Sequence, residues 1–258
     1  MRTEDVSRTP EPEGIRGPMA DLYDVFVDWE GRLGREVPGI LKRLREVGAR
    51  RVLDAGCGTG RHVAALLREG FDAHGADVSE EMLAQARALT GAPDRFHPWR
   101  MGDPPPPMGA PFDAFLCLGN AWPQVEEVEA TLAAVRQLVR PGGLVLVGLK
   151  AVEIRRTARD PYLPLLKRVH EGKTLWFVRF VEFEDADFCR LHMVVAGDTV
   201  LHRSTRMRVY GPGTLSGTFE RAGFRDVSVS ARIGEPGVVP TTEDVFVHAR
   251  APEAPSRS

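Results

Sequence analysis

Lysine is scarce in this 258-residue sequence: Lys42, Lys150, Lys167 and Lys173 stand against 30 arginines. GC-rich coding produces that imbalance without any function, and Arg-for-Lys exchange is a weak stability signal. Cysteine is scarcer still. Cys57, Cys117 and Cys189 are too few and too scattered for a disulfide framework, and no Cys-x-x-Cys or His/Cys spacing marks a zinc site, so no metal is expected. There is no 18-residue apolar run and no basic start followed by an apolar stretch, so neither a membrane span nor a secretory leader is expected, and a reducing cytoplasm is the expected location. Charge of one sign is also missing. With 34 basic and 36 acidic side chains, a net −2, the chain has no general attraction for nucleic acid or an anionic membrane.

What is present is the composition of a globular protein, 43% apolar and 27% charged. Residues 1–17 and 251–258 are polar and rich in Pro and Gly, and are expected to be mobile ends. Between them strand and helix patterns alternate, which predicts an α/β domain with a mainly parallel sheet. Apolar spacing over 19–47 predicts two short helices, broken near Gly31–Gly34 and Pro38. Strands are expected at 51–55, 71–76, 95–101, 112–118 and 144–149, with helices at 61–68, from Ser79, and over 125–139. Pro104–Pro107 forbids helix there. After Lys150 the rhythm changes to antiparallel strands at 175–184, 188–196 and 200–210, with Gly197-Asp198 as a hairpin turn. A helix at 215–222 and strands at 226–231 and 244–250 close the chain. The expected parts are thus helices and core over 18–150, an antiparallel insertion over 151–209, and a return to the core over 210–250.

The strongest local signal is VLDAGCGTG at Val52–Gly60, a buried strand running into Gly56, Gly58 and Gly60 with a helix beginning at once. Such glycines let the backbone approach a ligand closely, and the helix start offers free amides. A dinucleotide fingerprint needs its third glycine at position 61, which is Arg61, and no Gly-Lys-Ser/Thr follows, so neither a dinucleotide loop nor a P-loop fits. Asp77 ends the next strand, 17 residues after Gly60. A carboxylate there can accept both hydroxyls of a ribose that carries no phosphate.

VLDAGCGTG, GADVSEEML at Gly75–Leu83, Gly102-Asp103, FDAFLCLGNAW at Phe112–Trp122 and RPGG at Arg140–Gly143 together resemble the successive motifs of class I S-adenosylmethionine (SAM)-dependent methyltransferases. The resemblance runs from about Tyr23 to Phe224. LCLGN, and a Tyr-Asp pair upstream followed by Trp and Arg, are similar to the glycine/sarcosine N-methyltransferase-like branch and, more loosely, to amino-sugar N,N-dimethyltransferases. The resemblance implies a Rossmann-like, seven-stranded, mostly parallel sheet with an antiparallel β insertion as lid. It implies that Asp54, Gly56, Gly58 and Gly60 shape the methionine end of a SAM site, with backbone from Ala55 and Cys57. Asp77 then holds the ribose, Val78 and Met82 flank the adenine, Asp103 faces its amino group, and Leu118 lies beneath the cofactor. Asn120 points to the acceptor, while Tyr23 and either Arg32 or Arg35 close over the SAM carboxylate.

Methyl transfer from a sulfonium is an in-line displacement in which alignment and exclusion of water are the protein's main contribution. An amine acceptor need only arrive neutral, whereas a hydroxyl needs a general base; no base stands out, which favours nitrogen. Among aromatics Trp29, Trp122 and Tyr210 are candidates for the pocket, Trp122 foremost because it follows a strand's carboxyl end. Packing or solvent contact is the plainer expectation for His62, a surface position for His170, His192 and His202. Arg179, and Arg206 and Arg208 alternating along a strand, are expected either toward an acidic substrate or on a solvated face. The expected function is SAM-dependent methylation of a small molecule at nitrogen. The alternatives are O-methylation, a SAM-binding regulatory or scaffold protein without transfer activity, and, disfavoured by Arg61, a nicotinamide oxidoreductase. Neither nucleic acid nor membrane is an expected partner, and the insertion is expected to serve as lid or as the contact of a homodimer.

Overall fold

The computed structural model describes residues 18–109, 111–150, 152–235 and 244–253. The expected mobile segments 1–17 and 254–258 lie outside them.

Helices α1 (Pro18–Phe26) and α2 (Trp29–Glu46) precede strand β1 (Arg51–Ala55). The break falls at Val27–Asp28, not at Gly31–Gly34 or Pro38: Asp28 caps α2 by accepting from Gly31 N, and the helix runs on through both glycines and the proline. An interior proline costs about 3 kcal/mol and a glycine about 1. Full burial of Ile40 and Leu44, each on the order of 1.5–3 kcal/mol, offsets this.

The core follows as α3 (Arg61–Arg68), β2 (Asp72–Asp77), α4 (Glu80–Thr90), β3 (Phe96–Pro98), β4 (Phe112–Cys117), α5 (Val128–Leu138) and β5 (Val139–Lys150). β3 is shorter than expected, and the expected 125–139 helix begins only at Val128, after a 3₁₀ turn over Trp122–Gln124. After α6 (Glu153–Ala158) come β6 (Leu166–His170), β7 (Lys173–Phe183), β8 (Phe188–Ala196) and β9 (Val200–Arg208), then α7 (Pro212–Arg221), β10 (Arg225–Ser230) and β11 (Asp244–Arg250).

Seven strands form one sheet in the order β10-β11-β5-β4-β1-β2-β3, parallel except where β11 pairs antiparallel with β5 and β10. Helices cover both faces, so the central strands read as unbroken apolar runs. Leu53, Phe115, Cys117, Val145 and Val147 face α5 and α7; Val52, Ala114, Leu116, Leu144 and Leu146 face α2, α3 and α4. Ala251, expected in a mobile tail, is buried, and its N–H donates to Gly143 O at 2.9 Å.

β6–β9 form a separate antiparallel sheet, β6 being a strand the sequence pattern did not single out. Its inner face packs on α1, where Leu22, Val25 and Phe26 meet Phe177, Met193 and Val195. Among the described residues no helix is long and apolar enough to cross a membrane.

Candidate functional site

The glycine turn is built from β1 and β2 together. Gly56 N and Cys57 N both donate to Ala76 O, at 2.7 and 3.0 Å, so the turn wraps the end of β2. Asp77 completes the hold: Oδ2 accepts from Gly58 N and Oδ1 from Ser79 N, each at 2.9 Å. Ser79 in turn caps α4 by accepting from Met82 N at 3.3 Å. One carboxylate thereby shapes two loops. Gly56 must be glycine on two counts. Its φ is +71°, and a Cβ would lie 2.4 Å from Ala121 Cβ.

Helix α2 brings Arg32 and Glu36 one turn apart on one face. Arg32 Nε donates to Glu36 Oε1 at 3.1 Å, and His62 Nε2 lies 2.7 Å from Glu36 Oε2. Burial works to raise Glu36, yet the His62 hydrogen bond and the Arg32 charge hold it below the usual carboxylate value. Burial works to lower Arg32, and Glu36 outweighs it and keeps the guanidinium firmly charged. Arg32 reaches Gly119, where a Cβ would sit 3.1 Å from Nη2. Burial raises the Tyr23 phenol above its ordinary value, with Arg32 beside it acting in the opposite sense. The neighbouring Asp24 fastens α1 to the loop: it accepts from Trp29 Nε1 and Thr59 Oγ1, each at 2.7 Å, and pairs with Arg61.

Asp54 is 2% exposed, and its Oδ1 has no hydrogen-bond partner. Burial pushes its pKa up to about 6, against the pull of His62 and Arg32.

These elements border a cavity of about 1530 Å³. A single-ligand pocket is typically some 300–1,000 Å³, so there is space for two small molecules side by side. Tyr23, Arg32, Gly56, Gly58, Asp77 and Val78 line it, as do Met82, Asp103, Leu118 and Asn120. Arg35 is on the wall as well. Asn120 Oδ1 accepts from Lys150 N at 3.0 Å, which ties the end of β4 to the end of β5.

Of the expected residues, Trp29, Asp54, Ala55, Cys57, Gly60, Trp122 and Tyr210 are not on the wall. Trp122 is the main correction: it is fully buried and stacked on Phe219, with ring centroids 5.2 Å apart, because the 3₁₀ turn rotates it into the core. Tyr210 joins the same core. Gly60 serves packing, since a Cβ there would lie 2.8 Å from Ala86 Cβ. Ala55 and Cys57 are buried behind the turn, and so is Asp54. His62, expected to pack, is buried against Glu36 and Trp29. His192 and His202 stack on the outer face of the four-stranded sheet beside Phe180.

The far wall comes from the four-stranded sheet: Leu166, Arg168, Arg179, Leu191, Met193 and Arg203 face the cavity. Of these only Arg179 was singled out in the sequence. The signal for the others is the strand alternation that places them on the face shared with buried Phe177.

The family model described as a methyltransferase domain matches residues 52–143, the stretch from β1 into the start of β5. Over those residues the chain is similar to a methyltransferase domain. The glycine/sarcosine N-methyltransferase of Halorhodospira halochloris is 33% identical over 137 residues, 49% of this chain and 50% of its own length. The glycine N-methyltransferase of Rattus norvegicus is 32% identical over 149 residues, 51% of each chain. The chain thus spans about half the length of the curated relatives it matches. A solved sugar N-methyltransferase of Streptoalloteichus superposes with a TM-score of 0.70 over 98% of this chain and 99% of its own, and at 21% identity this carries the fold alone. The methyltransferase domain therefore sits in a Rossmann-like α/β architecture, with the antiparallel sheet as a second layer over its carboxyl edge.

Proposed function

We propose that this chain transfers a methyl group from SAM to a nitrogen of a small-molecule acceptor. One observation carries the reading. A single cavity joins the glycine turn of the methyltransferase domain to the face of the four-stranded sheet, and it is large enough for cofactor and acceptor together.

The chain's residues suit such a cofactor. Asp77 lies on the cavity wall where a carboxylate suits a ribose diol, and Val78 and Met82 offer apolar flanks for a purine, with Asp103 at its rim. Gly56 and Gly58 let a ligand lie against the backbone. Arg32, held by Glu36 and joined by Tyr23, suits a carboxylate, and Leu118 lies beneath. Asp54 acts from behind the turn. When bound, SAM supplies an electrophilic methyl group. The protein's part is to orient the two reactants and keep water out, a contribution that can reach about 7–11 kcal/mol. An amine acceptor need only arrive neutral, whereas a hydroxyl must lose its proton to a base on the wall.

Residues 18–150 and 210–250 make the cofactor half in this reading, and 151–209 cover the acceptor. The near-neutral charge speaks against nucleic acid or membrane as partner, and three free, buried cysteines suit a reducing cytoplasm. Exposed Trp176, Tyr162 and Val200 on the outer side of the insertion suit a contact between two copies, which sedimentation would show as a dimer.

The test is calorimetric binding of SAM and S-adenosylhomocysteine, followed by methyl-labelled SAM with panels of amines, amino acids, amino sugars and phenols. Micromolar-range cofactor binding and label on nitrogen are expected. Label on oxygen alone overturns the nitrogen assignment. Binding without transfer to any acceptor in a cell extract indicates a regulatory protein, and absence of binding ends the reading.

A further inference from the structure

Directly paired residues on neighbouring strands point to the same side of a sheet. Arg179 of β7 pairs with Met193 of β8, which pairs with Arg203 of β9, so the two arginines flank one methionine on one face. Arg168 of β6 shares that face, two residues beyond Leu166, the partner of Phe177. Phe177 is fully buried and Met193 is 9% exposed, so this face looks into the molecule. All three arginines are half-buried and line the cavity.

Among the described residues none of the three has a carboxylate partner. Arg168 Nη1 donates to Lys167 O and Arg179 Nη2 to Pro164 O, both at 3.1 Å, and Arg179 Nε is buried with no acceptor. The Arg179 guanidinium lies over Phe26, 5.0 Å from the ring centroid. Burial, then the charges of Arg155 and Arg168, push its pKa down. Acids are not in short supply, since the chain has 36. At the far end of the same sheet Arg190 and Arg206 share Glu184, at 3.2 and 2.7 Å.

Half-buried cations without counter-ions cost stability, and several of them facing one cavity are completed by an anion. One carboxylate is satisfied by one bidentate arginine. Three guanidiniums match a group with at least two negative charges. We propose that Arg168, Arg179 and Arg203 form an anion subsite for a phosphoryl or diphosphoryl group on the methyl acceptor. This rests on the methyl-transfer reading, in which the glycine turn holds the cofactor and leaves the opposite wall to the acceptor.

The experiment uses the full chain loaded with S-adenosylhomocysteine and titrates inorganic pyrophosphate at physiological ionic strength, with acetate as competitor. Pyrophosphate should bind. Arg179→Met and Arg203→Met should each weaken it at least tenfold with S-adenosylhomocysteine affinity unchanged, while Arg45→Met, an exposed position paired with Glu69, should leave it unaltered. Absence of pyrophosphate binding to the loaded protein, or equal binding in both cavity variants, overturns the subsite. Acetate competing as well as pyrophosphate overturns the requirement for two charges. Failure of S-adenosylhomocysteine to bind the unaltered chain sinks the methyl-transfer reading instead, and the pyrophosphate titration of the variants then decides the subsite alone.

Discussion

At the carboxyl end of β2 Asp77 is tied to two backbone amides, and on α2 Arg32 is tied to Glu36, whereas Arg168, Arg179 and Arg203 on the four-stranded sheet face the same cavity with no carboxylate partner among the described residues. The first wall is organised before anything binds: its loops have their shape because the protein's own groups satisfy one another. The second wall is electrostatically incomplete. A wall of the first kind suits a ligand that is always the same, and one of the second kind suits the ligand that defines the particular enzyme. Substitutions on the first wall should therefore alter cofactor binding and stability, and substitutions on the second should alter neither.

The largest effect is expected from Gly56→Val. A side chain there meets Ala121 at 2.4 Å in a backbone conformation with φ +71°, and the left-handed conformation alone costs roughly 1–2 kcal/mol. S-adenosylhomocysteine affinity measured by calorimetry should fall more than about 100-fold, or ~3 kcal/mol. If affinity survives, the glycine turn is not the cofactor wall and the comparison loses its first term. Next comes Asp77→Ala, which removes the acceptor of both Gly58 N and Ser79 N. A loss of about 2–3 kcal/mol in the same titration is expected, the scale of charged hydrogen bonds.

Asp54→Asn tests the pH response of the first wall. The Asp54 carboxyl titrates near 6 when folded, above its ordinary 3.8, so the folded state holds this proton more tightly than the unfolded chain does. Its contribution to stability is present below about pH 4 and is lost as pH rises through about 6. A shift of about two units is on the order of 3 kcal/mol. Urea unfolding of Asp54→Asn should show about 1–2 kcal/mol of added stability at pH 8 and a flatter profile between pH 4 and 6. Unchanged slopes would place the proton elsewhere. The smallest effect belongs to the second wall: Arg179→Met should leave the melting temperature unchanged or slightly raised, because it removes a cation gathered against like charges. A fall of several degrees would make Arg179 a structural residue through its Phe26 contact and blur the distinction between the walls.

The parts of this protein that were legible in sequence are those where one local rule suffices. The glycines between β1 and α3, the acid ending β2, Ser79 before α4, and the alternation of β7 to β9 each follow from backbone or periodicity constraints acting over a few residues. Where local and long-range terms compete, sequence reasoning fell short. Gly31, Gly34 and Pro38 argue for a helix break, but the burial of Ile40 and Leu44 against the sheet carries α2 through them. Trp122 stands two residues past Asn120, and counting positions does not show that a 3₁₀ turn rotates it onto Phe219. Among the glycines, Gly56 and Gly58 border the cavity while Gly60 packs on α4 and Phe96, a difference that depends on what lies opposite.

The sequence by itself determined the α/β class, the methyltransferase motifs between 52 and 143 and the presence of an antiparallel insertion, because periodicity, glycine φ angles and motif spacing are properties of contiguous chain. Only the tertiary structure decided which arginines face the cavity. Arg168, Arg179 and Arg203 lie on three different strands, and their shared face, with no counter-ion among the described residues, arises from pairing between separate segments of the chain. Electrostatic partnership falls off over a few ångströms in space, and distance along the chain does not report it.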